Sequence, residues 1–169
     1  LGHIRHSEKV LDLLPYTTSD EPFALQTASK EKIKQLNNLD SQLVILLEEE
    51  HPWFLNMTYA IMQECVLKQK DSLSISVNKS ILRHAENIKY EALGNPWKGE
   101  AAYDILNAAP LCNLLDTHFA DQRDAFKTNM QALLEEVEKP HAKREGDEER
   151  FEEALNAFKM EIKNWLSKE

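Results

Sequence analysis

The chain is poor in the residues on which several other structural classes depend. Its 169 residues include only four glycines and two cysteines. So few glycines argue against a sheet protein with many tight turns, whereas helices joined by short loops need few of them. Cys65 and Cys112 are too few for a disulfide scaffold or, by themselves, for a structural zinc site. Both have apolar neighbours in the sequence, so we expect buried thiols and a cytoplasmic protein.

Basic residues and long apolar runs are also scarce. Twenty Lys and Arg residues oppose 29 Asp and Glu residues, which gives a formal net charge of −9. Phosphate backbones and anionic headgroups repel a chain of this sign, so we expect no direct binding to nucleic acid. The sequence contains no apolar run of about 18 residues, the length of a membrane span, and we expect no membrane partner. An acidic surface favours a basic protein as the partner.

Helical periodicity, in contrast, is abundant. From Phe151 to Leu166 apolar side chains recur every three or four positions, and glutamates and lysines fill the positions between them. This pattern predicts an amphipathic helix. Similar stripes predict helices over residues 7–14, 29–51, 53–70, 76–93, 99–109, 110–137 and 147–168. We therefore expect an all-α protein, a single bundle of about six helices that includes a C-terminal helical hairpin.

The N-terminal segment differs from the rest of the chain. Residues 1–27 predict a short helix followed by a loop or arm that contains Pro, Ser and Thr. Residues 28–169 predict one helical domain, and a chain of this length can bury a single core. Its last two helices, within residues 111–169, predict an antiparallel hairpin. As an alternative, they project together as a dimerisation arm, with a second copy of the chain as the partner.

One Glu-x-x-His spacing, Glu48 with His51, places a carboxylate and an imidazole on the same face of a helix. Dinuclear carboxylate bundles use this spacing twice and add two further glutamates. The sequence holds no second copy, and Pro52 directly follows His51, which predicts that His51 lies at a helix end. A carboxylate and histidine metal enzyme, with Glu64 as a further ligand, is therefore an alternative hypothesis. His84 belongs to no tighter group.

Two further features predict surfaces for binding a partner. Trp53 and Trp97 each follow a proline at the start of a predicted helix. We expect Trp53 to staple the chain to the core and Trp97 to be an exposed anchor for an interface. The connector over residues 140–146 is flanked by many acids, interrupted by lysines and arginines. The acids that we expect to contact a partner are Glu148, Glu149, Glu152 and Glu153.

Signatures of catalysis are absent from the sequence. It contains no nucleophile motif, phosphate-binding loop, dinucleotide fingerprint or zinc-protease motif. We therefore predict no catalytic residue and no cofactor. The main hypothesis is a non-enzymatic protein–protein interaction module: an adaptor, chaperone, immunity or regulatory protein that acts by binding another protein. A further alternative is an acidic mimic that inhibits a nucleic-acid-binding protein, although the interspersed lysines and arginines argue against it.

Overall fold

The computed structural model describes residues 2–95 and 99–168, and all regular structure in these ranges is helical. This confirms the predicted all-α class. None of the described helices is long and apolar enough to cross a membrane. The α-helices are α1 (Gly2–His6), α2 (Val10–Leu13), α3 (Phe23–Lys34), α4 (Leu39–Glu48), α5 (Leu55–Glu64), α6 (Lys70–Asn87), α7 (Glu100–Ile105), α8 (Ala109–His118), α9 (Arg123–Glu138) and α10 (Glu148–Ser167). Short 3-10 turns lie at Leu14–Thr17, Pro52–Phe54 and Ala120–Gln122, and a π-helical turn at Ile88–Leu93 extends α6.

The buried apolar side chains form one continuous core. It reaches from Ile4 in α1 to Trp165 in α10. Helix α5 packs on α8, and α6 packs on both α4 and α9. The N-terminal segment belongs to the same core, because Val10, Leu13 and Leu14 are fully buried in it. Burial of these side chains ties the segment to the other helices through the hydrophobic effect.

The predicted helix over residues 29–51 is broken between α3 and α4, and the predicted helix over residues 53–70 is broken between α5 and α6. Asp40, at the start of α4, holds the chain between α5 and α6. Its carboxylate accepts hydrogen bonds from the backbone N–H groups of Lys68 (2.8 Å) and Gln69 (2.6 Å). The apolar stripe continues across both breaks, so periodicity alone could not find them.

The predicted helix over residues 110–137 is also two helices, separated at Phe119. The Phe119 ring is fully buried and packs against the Phe126 ring, with 5.7 Å between the centroids. Its backbone leaves the helical conformation, with φ −129° and ψ 23°. Arg123 then reaches back across the turn to the carboxylate of Asp116. Because Phe119 keeps its place in the apolar stripe, the sequence shows no sign of the turn.

Helices α9 and α10 contact each other as expected for the last two helices of the chain. Arg123 at the start of α9 donates a hydrogen bond to the backbone carbonyl of Trp165 (3.2 Å). Glu138 at the end of α9 forms an ion pair with Lys163 (2.7 Å). Both ends of α9 therefore contact the last turns of α10. The antiparallel course of a hairpin stays a prediction, as does the dimerisation arm.

The extended α6 ends at Gly94, whose φ of −89° is in the ordinary right-handed region. A Cβ atom at Gly94 would lie 2.9 Å from the carbonyl oxygen of Lys89. The glycine is therefore required by close approach of the backbone rather than by a positive φ.

Candidate binding cavity

A cavity of about 570 Å³ lies between the N-terminal segment, the start of α5, the end of α6, and α7. We call it the His84 cavity. Its volume is within the range of small-ligand sites. No lysine or arginine is among the described residues that line it. The polar and aromatic residues that line it are Thr17, Thr18, Ser19, Asp20, Trp53, Asn56, His84, Asn87, Tyr103, Asp104 and Asn107.

His84 is the most deeply buried polar group of this cavity, with 2% of its surface exposed. Its ring lies between those of Tyr59 and Phe158, with centroid distances of 6.2 and 6.1 Å. Burial lowers the pKa of His84 to about 4, so the ring is neutral at pH 7. Nε2 lies 3.2 Å from the carbonyl oxygen of Ile105 and donates to it. Nδ1 is then a hydrogen-bond acceptor, and it has no partner among the described residues.

Asn56 supplies a second acceptor of the same kind. Its Nδ2 donates to the backbone carbonyl of Asp104 (2.9 Å), while its Oδ1 is buried without a described partner. Native proteins leave few buried polar atoms unpaired, because each costs free energy. Other such atoms are Ser29 Oγ, Arg144 Nη1 and Trp165 Nε1, and their residues do not line this cavity. Two of the residues that line it, Asn56 and His84, thus each hold a buried acceptor without a described partner.

Carboxylates and an aromatic ring complete the cavity. Partial burial, and then the negative charges of Asp20 and Glu100, raise the pKa of Asp104. Trp53 is 38% exposed and lines the cavity, so the expectation that it staples the chain to the core describes only part of its ring. Trp97, which the sequence predicts to be an exposed anchor, lies outside the described residues. The cavity therefore combines negative charge with an accessible indole.

A larger cavity, of about 750 Å³, lies between α2, α3 and α4, and Gln42 at its wall is hydrogen-bonded within the fold. Gln42 at its wall accepts a hydrogen bond from the backbone of Val10 (2.7 Å). The same side chain donates to the carbonyl of Glu8 and to Asn38, each at 2.8 Å. These bonds fasten the N-terminal segment to α4. Among the described residues, none that line this cavity has a buried side-chain acceptor without a partner.

The residues of the metal hypothesis are engaged with other partners. Glu48 accepts from Ser76 Oγ (2.6 Å) and from Lys79 (3.1 Å), and these bonds lower its pKa. His51 Nδ1 accepts a backbone N–H two residues further on (3.2 Å). Glu64 pairs with two lysines of α3, at 2.8 and 3.4 Å. No group of three or more potential metal ligands lies together in the described parts of the chain.

The connector before α10 forms a second polar cluster, which we call the Arg144 corner. Arg144 is 2% exposed and donates to both carboxylate oxygens of Asp147, at 2.9 and 2.7 Å. Its guanidinium carbon lies 4.4 Å from the centroid of the Phe151 ring. Tyr103 donates to the same carboxylate (2.8 Å). Arg144 and Tyr103 together lower the pKa of Asp147 to about 2.

Two of the four glutamates predicted to contact a partner are used inside this corner. Glu148 accepts a hydrogen bond from a backbone N–H of the connector. Glu152 lies 2.7 Å from Nε2 of His141. Glu149 and Glu153 are exposed, and neither forms an ion pair with another described residue. The acidic corner is therefore mostly a set of internal pairs, with two carboxylates left facing solvent.

One position in the sequence signals the cavity. His84 occupies an inward position of α6, three residues after Ile81 in the apolar stripe. A histidine at such a position is either paired inside the core or directed at a site. Asp20, Asn56 and Asp104 lie far apart in the sequence. No spacing in the sequence could have placed them around one cavity.

Comparisons of this chain with models of protein families, with curated proteins and with solved structures found no match. The function is therefore argued from the geometry and charge of the site.

Proposed function

We propose that the protein is a non-enzymatic, cytoplasmic interaction module that binds a partner protein, and that the His84 cavity is where the partner docks. The observation that carries this proposal is a cavity of about 570 Å³ whose described lining residues include two carboxylates and the partly exposed ring of Trp53, and no lysine or arginine.

The properties of the reactive side chains favour binding over catalysis. With a pKa of about 4, His84 is a weak base at neutral pH. Its hydrogen bond goes to a backbone carbonyl, and not to the hydroxyl or thiol of a nucleophile. Burial raises the pKa of Cys65 to about 11 and that of Cys112 to about 12. Thiols of this kind are inert at neutral pH, because only the thiolate is nucleophilic.

The charge of the protein favours a basic partner. The net charge is −9, and Asp20 and Asp104 place two carboxylates at the cavity. Glu149 and Glu153 extend the negative charge along the exposed side of α10. Complementary charge speeds association and selects partners more than it adds affinity. A second copy of this chain carries the same negative charge, so it fits this surface less well than a basic protein.

A pair of matched variants tests the proposal. Ala60 is exposed and lines the cavity, so Ala60→Trp fills the cavity without removing a core contact. Ala125 is an exposed alanine of α9 that does not line it, and Ala125→Trp is the control. Tagged wild-type and variant proteins are used to capture partners from a lysate of the producing cells. We expect Ala60→Trp to reduce capture about tenfold or more, a change of about 1.4 kcal/mol.

Capture by Ala125→Trp should equal capture by the wild type. Equal capture by all three proteins would contradict docking at the cavity. Loss of capture by both variants, with the fold intact by circular dichroism, would place the interface elsewhere.

A further inference from the structure

The outward face of α6 and its π-helical extension carries three large apolar side chains that are exposed to solvent. Ile75, Leu82 and Tyr90 are 59%, 44% and 64% exposed. Lys79 and Glu86, which are also exposed, lie between them. Positions three, four or seven residues apart share one face of a helix. These five side chains therefore form one row, which we call the α6 stripe.

The α6 stripe faces away from the core. Helices α4 and α9 pack on α6, and Val77, Ile81 and His84 are buried on its opposite face. The exposed fractions show that no described element covers the stripe. Apolar side chains aligned on one face gain free energy when a partner removes them from water. The stripe is thus a candidate interface that is separate from the His84 cavity.

The order of the side chains in the α6 stripe is complementary to itself. Its midpoint lies between Leu82 and the next residue; Lys79 and Glu86 lie at equal distances from that midpoint, and so do Ile75 and Tyr90. Read backwards, the stripe has an apolar residue in each apolar position and the opposite charge in each charged position. A twofold interface requires this property, because residue i of one copy contacts residue j of the other, and j contacts i.

We infer that the α6 stripe is the interface of a homodimer in which the α6 helices of two copies pack antiparallel. The Leu82 side chains of the two copies meet at the twofold axis. Lys79 of each copy lies opposite Glu86 of the other, and Ile75 lies opposite Tyr90. A second copy supplies this complement through its own sequence. The inference does not depend on what docks at the His84 cavity.

The charges of the stripe are available for these contacts. Glu86 forms no ion pair with another described residue. Lys79 is bonded to Glu48 of α4 at 3.1 Å, but its side chain is 59% exposed and its ammonium group has three donors. Lys79 can therefore bind Glu86 of the second copy while it keeps Glu48. Charge pairs of this kind set the register and orientation of two helices, whereas the apolar contacts supply most of the affinity.

The dimer should be weak. Five side chains from each copy are fewer than the about 20 residues a side of a standard interface. The net charge of −9 also opposes the association of two copies. We expect a Kd of about 10 to 100 μM at about 0.15 M salt, where long-range repulsion is screened. Sedimentation equilibrium between about 5 and 500 μM protein measures this Kd.

Two charge reversals test the antiparallel register. Lys79→Glu places carboxylates opposite each other at both charged contacts, and Glu86→Lys places ammonium groups opposite each other. Each variant alone should dimerise at least about tenfold more weakly than the wild type. An equimolar mixture of the two variants has opposite charges at both contacts, so it should form a mixed dimer with a Kd within about threefold of the wild-type value.

Matched controls separate these contacts from net charge and from apolar exposure in general. Lys143→Glu and Glu153→Lys change the net charge equally at exposed positions outside α6 and should leave the Kd unchanged. Leu82→Ala removes the central contact from both copies and should weaken the dimer at least about fivefold. Val66→Ala, at an exposed position outside the stripe, should not weaken it. Circular dichroism verifies that each variant is folded.

Three results would overturn the inference. The first is a wild-type protein that stays monomeric at about 500 μM, well above the expected Kd. The second is a dimer whose Kd is unchanged by Leu82→Ala and by both charge reversals. The third is a mixture of Lys79→Glu and Glu86→Lys that associates as weakly as each variant alone.

Discussion

The Arg144 corner and the His84 cavity are neighbours that share Tyr103, yet they differ in how their charged groups are paired. In the corner, Arg144 is buried against Phe151 and neutralised by two bonds to Asp147. In the cavity, two buried acceptors have no described partner and the carboxylates have no basic neighbour among the lining residues. Tyr103 belongs to both, since its ring lines the cavity and its hydroxyl bonds to Asp147.

This difference separates structural from functional polarity. A charge that is paired within the fold fixes the path of the chain, and removing it destabilises the protein. Polar groups left unpaired cost stability, and sites that tolerate such a cost are candidates for binding. Charge density alone did not make this distinction. The run of glutamates around residue 150 looked like the interface, and half of those predicted to bind are internal partners.

The largest expected effect on stability is at the Arg144 corner. Arg144→Ala should lower the free energy of unfolding by about 3 kcal/mol, because it leaves Asp147 without its positively charged partner and removes the packing on Phe151. Urea unfolding followed by circular dichroism measures this. Lys143→Ala, at the exposed neighbouring position, should change stability by no more than about 0.5 kcal/mol. If Arg144→Ala changed the free energy of unfolding as little as Lys143→Ala does, the Arg144 corner would not be important for stability.

The second effect is the dependence of stability on pH that His84 imposes. A histidine in the unfolded chain titrates near pH 6.5, whereas buried His84 titrates near 4. Between these values the unfolded state binds more protons, so stability falls as the pH falls. From pH 7 to pH 5 this group should remove about 2 kcal/mol of stability.

The His84→Phe variant keeps a ring between Tyr59 and Phe158 and should lose that part of the pH dependence. The exposed histidine variant His51→Gln is the control and should keep it. The same loss of stability in His84→Phe between pH 7 and pH 5 as in the wild type would show that His84 is not buried in its neutral form.

A smaller effect on stability is expected at the His84 cavity. Asp104→Asn should leave stability unchanged or raise it by about 0.5 kcal/mol or less, because the repulsion from Asp20 and Glu100 disappears and the position is solvent-exposed. Thermal unfolding at pH 7 and low salt measures this, with Asp121→Asn as the reference. Destabilisation by more than about 1 kcal/mol would make Asp104 a structural residue and weaken the contrast with the corner.

The smallest effect concerns the two exposed acids of α10. The double variant Glu149→Lys and Glu153→Lys should leave stability unchanged, because neither residue has an ion-pair partner among the described residues. Partner capture should fall a few-fold at low salt and recover at high salt, as expected for long-range attraction. A loss of capture that salt does not reverse would move the main contact from the cavity to α10.

The sequence predicted the helices well and the turns between them poorly. The period of apolar residues predicts an inward face but continues through Asn37, Cys65 and Phe119, where the structure has turns. Those turns are fixed by contacts between distant residues, such as the carboxylate of Asp40 on the backbone N–H of Gln69. A sequence window of a few residues does not contain both partners of such a contact, so local periodicity cannot predict it.

The candidate site was less predictable than the fold, for a related reason. His84 could be recognised as unusual, because an apolar position of α6 holds a titratable ring. Its burial between Tyr59 and Phe158 comes from three separate helices. The unpaired oxygen of Asn56 is a property of the packed structure. Whether a polar group is paired is decided by tertiary contacts. Composition and spacing therefore predict where charged residues occur but not whether they are paired within the fold.

The state of the His84 ring is the measurement that tests this account most directly. Long-range ¹H–¹⁵N spectra of the histidine side chains at pH 7 report which ring nitrogen carries the proton. The account predicts a neutral ring with the proton on Nε2 and an Nδ1 lone pair that receives no hydrogen bond. A charged ring or a proton on Nδ1 would contradict it.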